Sequence, residues 1–518
     1  MAASTRRPVV QAVLLLVLSF AVRAPSFRRP FWSPDEGYLA TEAVVLRHGA
    51  RMYGDAVDRK PPLVPWLYEG CVAIAGPDAL WLVRLLAVVA LALTAVVTAR
   101  LAARMIGGWA ALPAGVLTVA ATTALPAPDA MAATFEIFML PATALAIHYG
   151  VRRRYLAAGL AVAVAALTKQ VGFAPLLPLA VQVLTGRHRL RAGAALAAGV
   201  TAPLAVCALA VGVRPFVFWV FLSSGSYAGS PPGAAAVFAH ASGNLLLLLT
   251  AFAPFVVVVV VAAPRSWPAL RRRIRGRANG PWPVPGWRQG TAPAGPDAGR
   301  TVGLWLLASA AGVTVGYHFY GHYFLQLVPP AVLLALRAVD AAGRGTATGR
   351  RGPRWAVHRA GRARVAAVAS GCALAVAGGW TAGALHSRPP QMDTSLAVAA
   401  AVDAHSTPGQ RVFLWGMHPE VYWLAGRRPA GRFLTAGLLS NFSGNGDPHR
   451  VGAAYAVPGA WRSLRHAWAA TPPCLVVDES AGTLYALADY PVLKGLLTRG
   501  YHEIAVVRGV RFYRRDRC

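Results

Sequence analysis

Long apolar runs separated by short polar connections recur along the first three quarters of the chain. A helix needs about 20 mostly apolar residues to cross the hydrocarbon core of a bilayer. On that measure the pattern predicts eleven spans, at 8–24, 79–102, 107–125, 129–149, 155–169, 171–185, 192–213, 244–263, 301–317, 323–340 and 365–385. The short runs at 155–169 and 171–185 carry the weakest signal. Segment 8–24 follows Arg6 and Arg7, as a signal peptide would, but no small-residue cleavage site comes after it. It reads as a membrane anchor.

The pattern changes after residue 385. Apolar runs shorten, and Asp, Glu and His become more frequent. Strand-like runs at 411–415, 474–478 and 504–508 alternate with helix-like stretches such as 459–470, which predicts a small α/β domain over 386–518. The expected fold is thus a polytopic α-helical membrane protein with about eleven spans over 1–385 and a C-terminal α/β domain. With the N-terminus inside, an odd span count puts that domain in the extracytoplasmic space, where Cys474 and Cys518 would be free to form a bridge.

Charge supports this orientation. The 518 residues include 51 Lys and Arg against 20 Asp and Glu, a formal net charge of +31. Twenty-six of the arginines fall in the segments assigned to the cytoplasm, including eight across 265–300 and eight across 337–364. The outer connections after spans 3, 5, 7 and 9 carry only Lys169 and Arg214. That asymmetry is the positive-inside rule. It accounts for the basic balance without a nucleic-acid partner, and the Pro, Gly and Arg of 264–300 read as a solvated cytoplasmic loop.

Composition agrees: 56% hydrophobic and 14% charged residues exclude an ordinary soluble enzyme, which carries about 25% charged residues. Forty-eight of the basic residues are arginine and three are lysine: Lys60, Lys169 and Lys494. With so much Ala, Gly and Pro, this bias points to a GC-rich bacterial genome and hence a bacterial plasma membrane.

The polar chemistry concentrates early. Seven of the 20 acidic residues lie in the first outer loop, about 25–78: Asp35, Glu36, Glu42, Asp55, Asp58, Glu69 and Asp78. Its amphipathic stretch 36–48 is expected to lie along the membrane surface. Ser33, Pro34 and Glu36 form a capping box that would start this helix without any catalytic purpose. Asp58-Arg59-Lys60-Pro61-Pro62 reads equally as a turn re-entering the bilayer, with Lys60 snorkelling to lipid phosphates.

A resemblance adds to these readings. The run from Asp35-Glu36-Gly37-Tyr38 to Lys60-Pro61-Pro62-Leu63, directly after the first span, resembles the signature of GT-C glycosyltransferases. The similarity is narrower toward the branch of protein O-mannosyltransferases and the lipid A aminoarabinose transferase, glycosyltransferase families 39 and 83. Asp129 at the start of span 4, Glu136, Thr168-Lys169 and His322-Tyr323 before Pro329-Pro330 match in order, and the likeness covers about 1–340 and the outer domain. It implies transfer of a sugar from a polyprenyl-phosphate donor to a lipid, glycan or protein acceptor at the outer membrane face.

The residue types suit that chemistry. Displacing a sugar from a lipid phosphate needs a carboxylate to take the acceptor proton and cations to hold the departing phosphate. Asp35 or Glu36 can supply the first; Lys60, Arg59 and Lys169 can supply the second. Tyr38, Asp129, Glu136, His322 and Tyr323 are candidates to line the site. Asp129 and Glu136, seven apart on one expected helix, would share a face. A buried acid normally faces a polar cavity, although Glu136 could instead contact another helix and Asp129 could be a plain N-cap.

His318 and His322 could share a helical face as metal ligands, but no third ligand is evident. A divalent cation is compatible with the sequence without being implied by it. Trp415, His418, Glu420 and Tyr422 suggest either acceptor contact or packing against the membrane domain. No nucleotide-binding or hydrolase motif occurs. The alternative, a secondary transporter or lipid flippase, predicts midplane ionisable groups and repeated halves; acids within the spans are few and no repeat is visible.

Overall fold

The computed structural model describes residues 2–223, 233–250, 252–253, 296–345, 354–444 and 446–518. The expected basic loop at 264–300 lies outside these up to residue 295, as does much of the 244–263 segment. Among the described residues, five helices are long and apolar enough to cross a membrane: Pro8–Arg28, Leu80–Met105, Arg189–Val211, Gly321–Ala341 and Gly361–His386.

The helical part runs α1 (Ala2–Arg23), α2 (Pro34–Arg47), α3 (Leu63–Ala75), α4 (Leu80–Met105), α5 (Ala111–Thr122), α6 (Ala127–Met131), α7 (Phe135–Val151), α8 (Tyr155–Thr168), α9 (Leu176–Leu184), α10 (Arg189–Val211) and α11 (Val213–Val217). It continues through α12 (Ala234–Thr250), α13 (Pro296–Thr314), α14 (Val328–Gly345) and α15 (Arg354–His386). Several expected spans are therefore shorter helices. The 129–149 run divides because α6, started by Pro126 and Pro128, is a single turn and the chain is extended at Ala132 and Thr134 before α7. Asp129 and Glu136 therefore sit on separate helices, not on one face of a shared helix.

Among the described residues, two large apolar clusters pack this part, and a smaller one joins α7, α8, α9 and α10. One of the two large clusters joins α1, α3, α4 and α7 around Leu15, Tyr68, Leu91 and Phe135. The other joins α4, α5, α13, α14 and α15 around Leu101, Leu117, Trp305, Val332 and Ala373.

The C-terminal domain comprises α16 (Met392–His405), β1 (Arg411–Trp415), α17 (Glu420–Leu424), β2 (Arg428–Pro429), α18 (Gly437–Ser440), α19 (Ala460–Ala470), β3 (Leu475–Asp478), α20 (Pro491–Leu497), β4 (Tyr501–Val507) and β5 (Val510–Arg515). Its mixed sheet has the order β2-β1-β3-β5-β4. The parallel β1–β3 pair aligns Phe413 with Val476, and β5 runs antiparallel to β3 with Phe512 opposite Val477. Arg508 and Gly509, both in the left-handed region, turn β4 into β5. The expected strands at 411–415 and 474–478 form within a residue, and the third forms three residues early. Cys474 and Cys518 are free thiols.

Helix α2 is packed within the protein. Leu39, Ala43, Leu46 and the acids Glu36 and Glu42 are all buried, because the C-terminal domain covers the helix. Thr41 Oγ1 donates to the Pro419 carbonyl at 2.7 Å. A Cβ added at Gly37 would stand 2.5 Å from Glu420 Cβ, so only glycine lets α17 approach this closely.

Candidate functional site

Ser33 caps α2 by accepting the Glu36 N–H at 3.2 Å, as the capping box predicts. The Glu36 side chain goes elsewhere. Its Oε2 accepts the Trp32 N–H at 2.7 Å and Arg84 Nη2 at 2.8 Å, while Oε1 accepts Arg84 Nε and the Ala133 N–H, each at 3.1 Å. Both oxygens are filled and the residue is fully buried. Glu36 therefore cannot take an acceptor proton; it is a hub joining α2, α4 and the chain entering α7. This corrects its expected catalytic role.

Asp35 faces the other way. Its side chain retains 39% of its exposure, and Oδ1 accepts from Lys60 Nζ at 3.3 Å. Its Oδ2 lies 4.0 Å from His322 Nε2. Burial alone would raise this carboxyl, but Lys60, His322 and Lys169 outweigh it and hold Asp35 below the usual carboxylate range. One helical face further along, burial and the Asp58 charge push Glu42 well above that range. Neither oxygen of Glu42 has a hydrogen-bond partner. Asp35 is ionised, and Glu42 holds its proton more tightly than a free carboxyl does.

The second half of the site comes from distant segments. Asp129 Oδ1 accepts from both the backbone N–H and ring Nδ1 of His322, at 3.0 and 2.6 Å. A carboxylate only accepts, so Nδ1 carries a proton and Nε2 is aimed at Asp35 and at Glu136 Oε1, 3.9 Å away. Glu136, almost fully buried, accepts from Lys169 Nζ. Lys169 also lies over the Tyr323 ring, 4.1 Å from its centre, and Lys60 lies 4.2 Å over the ring of Phe135. Gly321 leaves the space this needs: a Cβ there would fall 2.5 Å from Asp129 Oδ2.

Asp35, Lys60, Asp129, Glu136, Lys169, His322 and Tyr323 thus converge. Arg59 contributes at least its carbonyl, which accepts from Gln170 Nε2 at 2.8 Å and ties its loop to the chain after Lys169. The Tyr38 hydroxyl donates to the Val57 carbonyl at 2.7 Å and so shapes the loop carrying Lys60. The expected helical pair His318 and His322 is not formed: Tyr317 and Phe319 adopt left-handed conformations, and His318 stacks on Tyr320, which stacks in turn on His322. Among the described residues no group of three or more His, Cys, Asp or Glu is arranged to hold a metal ion.

Sequence reading missed the supports. Arg23, buried in α1, donates to the carbonyls of Ala130, Met131 and Ala132, and Tyr68 donates to that of Ala133. Together with Glu36 they pin the extended chain between Asp129 and Glu136. The available signal was a lone arginine inside or beside an apolar run, at 23 and at 84. The C-terminal domain closes over the site where Tyr320 Oη donates to the Ser443 carbonyl at 3.4 Å.

Residues 59–213, which carry Lys60, Asp129, Glu136 and Lys169, match the family model described as dolichyl-phosphate-mannose-protein mannosyltransferase. No curated protein sequence matches the chain. Among solved structures, ArnT from Cupriavidus metallidurans bound to undecaprenyl phosphate is similar with a TM-score of 0.59 at 18% identity, over 98% of this chain and 97% of that one. The same protein in the apo state gives 0.55 at 17% identity, over 99% and 98%. The Archaeoglobus fulgidus oligosaccharyltransferase in the apo form gives 0.54 at 13%, over 98% and 74%.

The chain has a GT-C fold. The resemblance to the mannosyltransferase and ArnT branch, read from Asp35-Glu36 and Lys60-Pro61-Pro62, therefore stands. Within the GT-C fold, the acid of that signature which faces the site is Asp35, and Glu36 is its support.

Proposed function

We propose that this protein is an integral membrane glycosyltransferase that moves a sugar from a polyprenyl-phosphate donor to a hydroxyl of a lipid, glycan or protein acceptor. The observation that carries this reading is the pairing of an ionised, half-exposed Asp35 with Lys60 at 3.3 Å, beside a second buried ammonium at Lys169. Supporting it are the match to a mannosyltransferase model and the likeness to a structure bound to undecaprenyl phosphate.

In this mechanism the acceptor oxygen bonds to the anomeric carbon as the bond from that carbon to the phosphate oxygen breaks. Asp35 takes the hydroxyl proton. The electron pair leaves on the polyprenyl phosphate, whose growing negative charge lies against Lys60 and Lys169. Desolvated cations aimed at that charge favour the transition state over the ground state. His322, oriented by Asp129, lies within reach of both Asp35 and Glu136 and keeps their charges apart from the departing phosphate. The ammoniums supply the cationic role that a divalent ion would otherwise take.

The eleven-span topology with N-terminus inside belongs to the same proposal. It sets Asp35, Lys60 and the C-terminal domain at the outer face of a plasma membrane, which the distribution of arginine supports. A transfer assay with purified protein and radiolabelled polyprenyl-phosphate sugars, run in parallel on protein, glycan and lipid acceptors, tests the reading. Transfer undiminished in both Asp35→Asn and Lys60→Ala would overturn it.

A further inference from the structure

A cavity of about 760 Å³ opens between the C-terminal end of α2, the edge strand β2 and helix α19, away from the site described above. Its walls carry Arg411, Arg428, Arg432, Arg462, His48 and His466, against a single acid, Asp55. Asp55 already faces Arg51 at 3.4 Å. Among the described residues, none of the four cavity arginines forms an ion pair with a carboxylate. Arg428 and Arg462 are exposed, while Arg411 donates to the Pro429 carbonyl and Arg432 to that of Tyr53. The fork of a guanidinium matches the oxygens of a phosphate, and several of them in one concavity favour a dense anion over a carboxylate side chain.

We infer that this cavity binds a phosphate-bearing saccharide, the anionic end of an acceptor whose reacting hydroxyl reaches Asp35. The volume is that of a small-molecule site, about 300–1,000 Å³ in general. The cavity lining sets these cations among the small apolar side chains of Val45, Ala430, Ala467 and Ala470. Asp35 and His48 lie near opposite ends of α2, roughly 20 Å apart at 1.5 Å per residue, so the ligand is extended. The loop between them connects the two places physically. Arg432 Nη2 holds the Tyr53 carbonyl at 2.6 Å, and the Tyr53 hydroxyl donates to the carbonyl of Lys60 at 2.8 Å. Tyr53 itself adopts a left-handed conformation, which these contacts and the Ala56 carbonyl sustain.

Assignment of the anion to an acceptor rests on the transferase reading; the presence of an anion site does not. The test is calorimetric titration of inorganic pyrophosphate and of a disaccharide phosphate into the full chain, in nanodiscs of neutral lipid. Both are expected to bind, more weakly as salt rises. The double variant Arg428→Glu/Arg462→Glu is expected to lose about tenfold or more in affinity, the scale of charge-assisted hydrogen bonds, while keeping its affinity for undecaprenyl phosphate. Arg428→Gln/Arg462→Gln should show an intermediate loss, which serves should the double Glu variant fold poorly. Equal binding by wild type and variants would overturn the site. Displacement of the saccharide by nanodiscs containing phosphatidylglycerol would show a lipid headgroup as the occupant and overturn the acceptor assignment. Saccharide binding without any transfer activity would count against the transferase reading alone.

Discussion

Asp129 Oδ1 accepts two hydrogen bonds from His322, one from its backbone N–H at 3.0 Å and one from ring Nδ1 at 2.6 Å. The residues are 193 positions apart, and the pair fixes both the position and the tautomer of the imidazole. Asp129→Asn should keep the backbone bond but lose the charge that orients the ring. Transfer is expected to fall by about tenfold or more, the effect typical of a partner that orients a histidine. Gly321→Ala should do the same, since its Cβ would displace the Asp129 carboxylate. Gly303→Ala, where an added Cβ meets nothing within 4 Å, is the control and should retain full activity. Steady-state kinetics of the three variants decides this, and equal rates for Gly321→Ala and Gly303→Ala would refute it.

Adjacent acids should fail in different ways. Asp35→Asn is expected to fold and bind donor lipid but to lose about 10²–10⁴-fold in rate, the contribution of a positioned base. Glu36→Ala leaves Arg84 buried without its counter-charge, which costs roughly 3–5 kcal/mol. It should express poorly and unfold at lower temperature. Comparing yield, thermal midpoint and turnover of the two variants separates the roles. A stable, inactive Glu36→Ala would reverse the assignment.

The contrast between these neighbours shows what the sequence could and could not reveal. Asp35, Lys60 and Lys169 were legible because charge in an apolar chain is scarce and each needs a purpose. The strands at 411–415 and 474–478 were legible because their alternation is local. Glu36 was misread because its role depends on Arg84, 48 residues away, and no periodicity links them. The helical pairing expected of Asp129 with Glu136 failed for a backbone reason: the chain is extended at Ala132 and Thr134, where Arg23, Tyr68 and Glu36 hold the neighbouring backbone. Burial of α2 was missed because the surface that covers it comes from residues near 420, and an amphipathic helix looks the same beside lipid or protein.

Loop geometry behind Lys60 can be tested with one oxygen. The Tyr53 hydroxyl donates to the Lys60 carbonyl, and the ring is almost fully buried. Tyr53→Phe keeps the packing and removes that bond, at a cost of about 1 kcal/mol. KM for the donor should rise about fivefold, with kcat less affected, because Lys60 is held less firmly against the phosphate. If instead kcat alone changed, the bond would serve the reacting step and not donor binding.

The C-terminal domain should loosen as pH rises. His418 Nδ1 lies 3.2 Å from Glu479 Oε2, and Glu420, between α2 and α16, accepts from Ser395 Oγ at 2.8 Å with its other oxygen unpartnered. Burial opposes the imidazolium, yet the Glu479 carboxylate outweighs it and raises His418 to about 9. Burial raises Glu420 to about 7. Both groups hold their protons more tightly when folded than when unfolded, so each contributes stability at low pH and loses it as pH rises. For Glu420 the loss runs from its ordinary value of 4.5 to about 7; for His418 it runs from 6.5 to about 9. The thermal midpoint of the full chain, followed by tryptophan fluorescence, should fall across pH 5–9. Glu420→Gln should flatten the lower half of that slope and His418→Asn the upper half. A variant whose midpoint tracks the wild type at every pH would show that its residue does not couple protonation to the docking of this domain on α2.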